Sequence, residues 1–241
     1  DPRKVLALTF TRKAAGELRA RLRSLGLRDE IAAGTFHGVA YAQIRMRWAD
    51  RGVEPWQLVD RKVPLVAPLL PASARGGTAV LDVVGEIEWA AARRITPSRY
   101  VSAARRAGRR TQVAPEVVAE VFERYELAKR KRRLVDFDDL LRGWRKALLE
   151  DDAFAAAQRW RFSHLFVDEF QDVNPLQSTL LDLWLGGRND ICVVGDPRQT
   201  IYSFAGASPR ILTSFARRHE GAERIELVRN YRSTPQIVAA A

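Results

Sequence analysis

Two adjacent carboxylates, Asp168 and Glu169, end the apolar run "LFV" and are followed by Gln171, Asp172 and the turn residues Asn174-Pro175. An acid fixed where a buried strand stops can hold Mg²⁺ on nucleotide phosphates, and its neighbour can orient or deprotonate an attacking water. Two acids in such a place also suit a plain solvated edge. The segment "VVGDPRQTIYSFAGA" adds Gly195-Asp196 at the end of a second apolar run, with Gln199 where a neutral amide can reach a γ-phosphate or the water without adding charge. Tyr202 and Phe204 follow, flat faces on which unpaired bases stack at about 1–3 kcal/mol each, although each alone equally suits a core. In "LVRNYRSTPQ", Arg232 can stabilise transferring phosphoryl charge beside Tyr231, a ring able to stack on a purine. The same stretch also reads as a strand end with a Ser-Thr-Pro turn.

Only a sheet edge brings such distant residues together. "VLALTF" has the continuous apolar character of a buried parallel strand. A helix is predicted after it, capped by Thr11, with Ala15, Leu18, Leu22 and Leu25 at helical spacing, a Glu17–Arg21 surface pair and Gly26 at its end. "LFVDE" repeats the pattern, with Asn174 as cap, Pro175 in the first helical position and a stop at Gly186-Gly187. "ICVVGD" and "IELVRN" read as further strands. Strands alternating with helices predict an α/β fold with a doubly wound parallel sheet, whose ligands sit at the carboxyl ends of its strands.

From about Tyr41 to Arg133 the pattern changes to Ala- and Arg-rich helical stretches broken by prolines and Gly76-Gly77. This predicted helical insertion carries Arg93-Arg94, Arg105-Arg106, Arg109-Arg110 and the run "KRKRR" from Lys129 to Arg133. The net charge of +11 over 241 residues favours a polyanion such as nucleic acid, while an Arg-rich chain with solvated helix faces would give the same number. No apolar run approaches the roughly 18 residues needed to span a bilayer, and the opening stretch is too short for a signal peptide. One cysteine, Cys192, excludes an intramolecular disulfide, no Cys/His cluster has zinc spacing, and a reducing cytoplasm fits.

Together "LALTFTRKAAGELRARL", "GTFHGVA", "DFDDLL", "LFVDEFQDVNPLQ", "VVGDPRQTIYSFAGA" and "NYRSTPQ" resemble superfamily-one DNA helicases of the UvrD/Rep/PcrA group, in that group's motif order and over essentially the whole chain. The insertion, including "GEIEWAAARRITPSRYV", looks most like the second UvrD-type helicases of actinobacteria. The resemblance implies a RecA-like P-loop NTPase sheet and an ATP-driven motor that moves 3′ to 5′ on single-stranded DNA and unwinds duplex at single-strand/duplex junctions, with DNA repair as its expected setting. It implies Asp168 as Mg²⁺ ligand, Glu169 as base, Gln199 as γ-phosphate sensor, Arg232 as arginine finger and Tyr231 as the adenine stack, all on ATP. Thr9, Phe10, His37, Tyr202 and Phe204 would line the single-strand track. The implied division is a first motor domain at 1–40 and 135–222, a helical insertion touching duplex DNA at 41–134, and the start of a second motor domain at 223–241. "DFDDLL" would mark the return from insertion to sheet.

The chain departs from the family at one central point. No segment matches the phosphate loop G-x-x-x-x-G-K-[ST], so Asp168 has half a nucleotide site, and the expectation is an internal fragment of a helicase. Phe204 stands where many relatives have Trp, Ala205 where many have Arg, and Pro197-Arg198 where relatives often carry a second acid. Two other readings stay open: a DNA-binding module without its own ATPase, and a helicase-nuclease whose nuclease lies outside these residues.

Overall fold

The computed structural model describes residues 1–26, 31–231, 233–234 and 236–237. Strand β1 (Val5–Thr9) leads into helix α1 (Arg12–Ser24), whose cap is Thr11 as predicted, its hydroxyl accepting from the Ala14 N–H at 3.0 Å. The surface pair on α1 is Lys13 with Glu17, 3.9 Å apart, in place of the Glu17–Arg21 pair expected. Strand β2 (Ala32–Thr35) passes directly into α2 (Phe36–Asp50), with Thr35 as cap. After β3 (Gln57–Leu58) come four helices, α3 (Val63–Val66), α4 (Ala79–Ala92), α5 (Pro97–Arg106) and α6 (Pro115–Arg132). The chain returns through β4 (Leu134–Val135), α7 (Phe137–Glu150) and α8 (Asp152–Arg161) to β5 (His164–Val167), α9 (Pro175–Leu185) and β6 (Ile191–Val193). Two short helices, α10 (Pro209–Thr213) and α11 (Phe215–Arg218), follow.

The main sheet is wholly parallel in the order β2-β1-β5-β6. Its packing explains the apolar runs. Leu6, Ala7 and Leu8 of β1 are all buried, because α1 lies over one face of the β1–β2 half while α2, α7 and α9 fill the other. Burial in β5 alternates instead: Leu165 and Val167 face the core, whereas Phe166 is exposed, as are Cys192 and Val194. The main core closes on Trp144 and Trp184, their rings edge to face at 4.5 Å, and a second core packs Val66, Ile87, Tyr100, Phe122 and Tyr125 from α3 to α6.

Two expectations change. Helix α2 runs unbroken through the boundary drawn at residues 40 and 41, and buries Ile44 with Phe36 and Ala40 in the main core. The second core therefore begins later, at α3. "IELVRN" is no strand: Ile225, Leu227 and Val228 are 75%, 89% and 90% exposed. Strand character needs a hydrogen-bonded neighbour and an apolar cover, and neither reaches these residues among those described.

Candidate functional site

The sheet order places the singled-out residues along one edge. His37 follows β2, Phe10 follows β1, Asp168 and Glu169 follow β5, and Gln199, Tyr202 and Phe204 follow β6. This is the carboxyl edge, where parallel sheets bind ligands.

Asp168 is anchored by its backbone N–H, which donates to the Leu8 carbonyl at 2.9 Å, and its carboxylate accepts from the Glu169 N–H at 3.0 Å. Glu169 adopts the left-handed backbone region, with φ of 52°. A side chain other than glycine reaches that region only when its surroundings hold it there, a kind of strain concentrated at functional sites. The holding bonds are visible: the Phe170 N–H donates to the Val194 carbonyl at 2.8 Å and the Asp172 N–H to the Glu169 carbonyl at 2.9 Å. Both carboxylates are exposed, and neither enters an ion pair with a described residue.

Gln171, only 1% exposed, ties this turn to the next strand. Its amide donates to Glu169 Oε2 at 2.7 Å and its carbonyl oxygen accepts from the Asp196 N–H at 3.0 Å. Gly195 makes room for that bridge, since a Cβ there would lie 2.5 Å from Gln171 Oε1 and 3.0 Å from the Phe170 nitrogen. Asp196 passes the connection on, accepting from Gln199 Nε2 at 2.9 Å and from the Arg198 N–H at 2.9 Å. The Arg198 N–H first, and then the Gln199 amide, hold the Asp196 carboxyl below its usual value. Asp172 extends the chain of contacts to the aromatics by accepting from the Ile201 N–H at 3.3 Å, and burial raises its carboxyl above the usual value. Sequence reasoning left Gln171 and Gly195 without a role. A lone amide between Phe170 and Asp172 was the available signal.

The aromatic residues divide. Tyr202 and Phe204 are 39% and 64% exposed, their rings 6.2 Å apart and tilted by 49°. Their loop rests on α4, where Gly206, at φ of 100°, comes so close that a Cβ would meet Ala92 at 2.8 Å. Phe10 is half-buried against Phe36 at 5.9 Å, and His37 stands edge-on to Phe137 at 5.6 Å, where burial lowers its imidazole below the usual value. Thr9 faces inward. It is buried, and its hydroxyl donates to the Thr11 carbonyl at 3.1 Å, so it offers nothing to a ligand in this geometry. Tyr231 is 81% exposed beneath the Arg229 guanidinium at 5.0 Å, and Arg232 lies outside the described residues.

The basic run also divides. Lys129 points into the protein and is 2% exposed, and Arg133 pairs with Glu54 at 3.0 Å, while Arg130, Lys131 and Arg132 are exposed. Arg109 is bound to the buried Glu86 and Arg105 to Glu116. The exposed Arg93, which lies over the Trp89 ring at 5.5 Å, and the exposed Arg94, Arg106 and Arg110 remain, with residues 130–132, as cations in no ion pair among the described residues.

The edge suits a nucleotide with its ion. No group of three or more His, Cys, Asp or Glu among the described residues could hold a metal alone. Mg²⁺ is commonly held by one or two carboxylates with phosphate oxygens and water completing its shell, and Asp168 is an open carboxylate of that kind. No described helix is long and apolar enough to cross a membrane.

The family model described as the UvrD/REP helicase N-terminal domain matches residues 1–220. The ATP-dependent DNA helicase UvrD2 of Mycobacterium tuberculosis is 44% identical over 254 aligned positions, covering 99% of this chain and 36% of that protein. DNA helicase II of Escherichia coli is 31% identical over 257 positions, covering 100% and 34%. The ATP-dependent DNA helicase PcrA of Leuconostoc citreum is 31% identical over 254, covering 100% and 32%. The chain thus spans about a third of the length of these relatives. With the parallel sheet, the ordered edge residues and a match to residues 1–220, this chain belongs to the UvrD/REP helicase family and carries its N-terminal domain.

Proposed function

We propose that the protein carrying this chain is an ATP-dependent DNA helicase that moves 3′ to 5′ on single-stranded DNA and opens single-strand/duplex junctions, in DNA repair in the cytoplasm. The observation that carries this is the edge of β5 and β6: two open, adjacent carboxylates, the second of them, Glu169, linked through Gln171 and Asp196 to Gln199. Asp168 would hold Mg²⁺ on the ATP phosphates, where the ion supplies charge neutralisation. Glu169 would orient the attacking water and accept its proton. Gln199, exposed and bonded to Asp196, would exchange that partner for the γ-phosphate, so that nucleotide state reaches Tyr202 and Phe204 along the same loop. Arg232 would stabilise phosphoryl charge and Tyr231 would stack on the adenine. His37 and Phe10 would continue the DNA track across β2 and β1, and Thr9 would support it from inside.

The helical insertion in this reading runs from α3 to α6, the first motor domain comprises the residues on either side of it, and the chain from about residue 223 opens a second motor domain. The exposed Arg94, Arg106, Arg110 and residues 130–132 are the phosphate contacts we expect on duplex DNA. The test is ATP hydrolysis and duplex unwinding by the full-length protein with single-stranded DNA. Hydrolysis that DNA strongly stimulates supports the reading. Absence of hydrolysis with and without DNA would leave a helicase-like DNA-binding protein.

For the 241 residues taken alone we propose DNA binding without turnover, because no segment matches the phosphate loop while the aromatic pair and the free cations are in place. Weak, salt-dependent binding with no ATP turnover by this piece is the expected result. Robust turnover would contradict it.

A further inference from the structure

The insertion leaves and rejoins the motor through two strands laid side by side. β3 pairs in parallel with β4, the Gln57 N–H donating to the Arg133 carbonyl at 3.0 Å and the Val59 N–H to the Val135 carbonyl at 2.8 Å. Each connection also carries a buried lysine, Lys62 on the way in and Lys129 on the way out. Both reach the first turn of α7. Lys62 Nζ lies 3.0 Å from Asp138 Oδ2 and 3.0 Å from Glu88 Oε1. Lys129 Nζ lies 2.9 Å from Asp136 Oδ2, 2.6 Å from Asp139 Oδ2 and 3.2 Å from Glu126 Oε1.

The surrounding groups leave this cluster little slack. The Tyr125 hydroxyl donates to Asp136 at 2.8 Å, and Arg142 lies 3.1 Å from both Glu126 and Asp139. Asp136 and Asp139 form the capping box of α7, each carboxylate accepting from the other's backbone N–H. Burial would lower the Lys62 and Lys129 ammonium groups, but the facing carboxylates outweigh it and keep both charged. Separating the buried members of such a network leaves charges away from water without their partners, which costs stability. The same turn carries Phe137, against which His37 packs at the sheet edge.

We infer that Lys62 and Lys129 are positioning residues that pin both ends of the insertion to the first turn of α7, fixing its orientation to the sheet edge and so coupling motor steps to strand separation. The coupling rests on the helicase reading above, and the pinning rests on the ion pairs alone.

The experiment places spin labels on the full-length protein at Ser102→Cys in α5 and Asp182→Cys in α9, in a background without other reactive cysteines, and measures their distance distribution. The variant K129M/D136N/D139N removes the exit pin while leaving the Glu126–Arg142 pair and an amide able to cap α7. It is expected to unfold cooperatively and to keep its DNA-stimulated ATP turnover near wild type. Its distance distribution should broaden, and duplex unwound per ATP should fall roughly tenfold. K62M/D138N tests the entry pin by the same readouts, and Lys129→Arg should restore the narrow distribution. A folded variant with a distribution as narrow as wild type overturns the pinning. Broadening with unwinding per ATP unchanged overturns the coupling. If the wild-type protein shows no DNA-stimulated turnover, the helicase reading fails, and the distances still decide the pinning.

Discussion

Two short strands of this chain end in closely similar sequences. β4 runs into Asp136-Phe137-Asp138-Asp139, and β5 into Asp168-Glu169-Phe170-Gln171-Asp172. After β4 the acids meet Lys62, Lys129 and Arg142 in the interior. After β5 the first two acids stay exposed and meet only backbone N–H groups and the Gln171 amide. Residue type is the same in both, and the partner decides the role. Cations close the first cluster into a structural knot, whereas the second stays open and unpaired among the described residues, as the proposed roles on Mg²⁺ and water require.

Breaking the knot has the largest expected effect on stability. Lys129→Met alone leaves Asp136 buried without its direct ion-pair partner, a loss of about 3–5 kcal/mol by comparison with other broken buried pairs. Chemical denaturation of the variant and the wild type measures it. At the edge, Phe204→Ala should leave stability nearly unchanged, because the ring is 64% exposed, and should weaken single-stranded DNA binding by about 1–3 kcal/mol in a fluorescence titration.

Acid should separate the clusters further. Burial alone would raise the Asp136 carboxyl, but Lys62 and Lys129 outweigh it and hold it well below the usual value. A depressed folded value means that its stabilisation is complete above the unfolded value of about 3.9 and is lost as pH falls towards the folded one. Asp172, raised by burial, runs the other way: its contribution is greatest below about 3.9 and fades as pH rises through the folded value. Thermal unfolding against pH should therefore show a shallower acid limb in Asp136→Asn, and in Asp172→Asn a stability that gains on wild type as pH rises. The smallest effect concerns charge on the insertion. Replacing Arg130, Lys131 and Arg132 with Gln should flatten the slope of DNA affinity against salt by roughly one for each phosphate no longer neutralised, with folding unaffected.

Much of the edge was legible in the sequence, because caps and strand ends are local signals. Thr11, Asn174 with Pro175, and the left-handed Gly186 all sit where the residue types predict. Lys129 was hidden in a run of five basic residues, although its helical phase was readable: Val118, Phe122, Tyr125 and Lys129 follow one another at spacings of three and four on the buried face of α6. The boundary expected at residues 40 and 41 falls inside α2, because β2 passes into α2 without a loop to mark a change. "IELVRN" was unreadable for a different reason, since an apolar run records a preference for burial and does not say what will cover it.

The most direct test compares one acid from each cluster in the full-length protein, measuring DNA-stimulated ATP turnover per folded molecule alongside the unfolding temperature. Glu169→Gln should lower turnover by about 10²- to 10⁴-fold with the unfolding temperature unchanged. Asp136→Asn should lower the unfolding temperature and leave turnover close to wild type. Normal turnover in Glu169→Gln, or a collapse of turnover in folded Asp136→Asn, would contradict the division of labour between the two clusters.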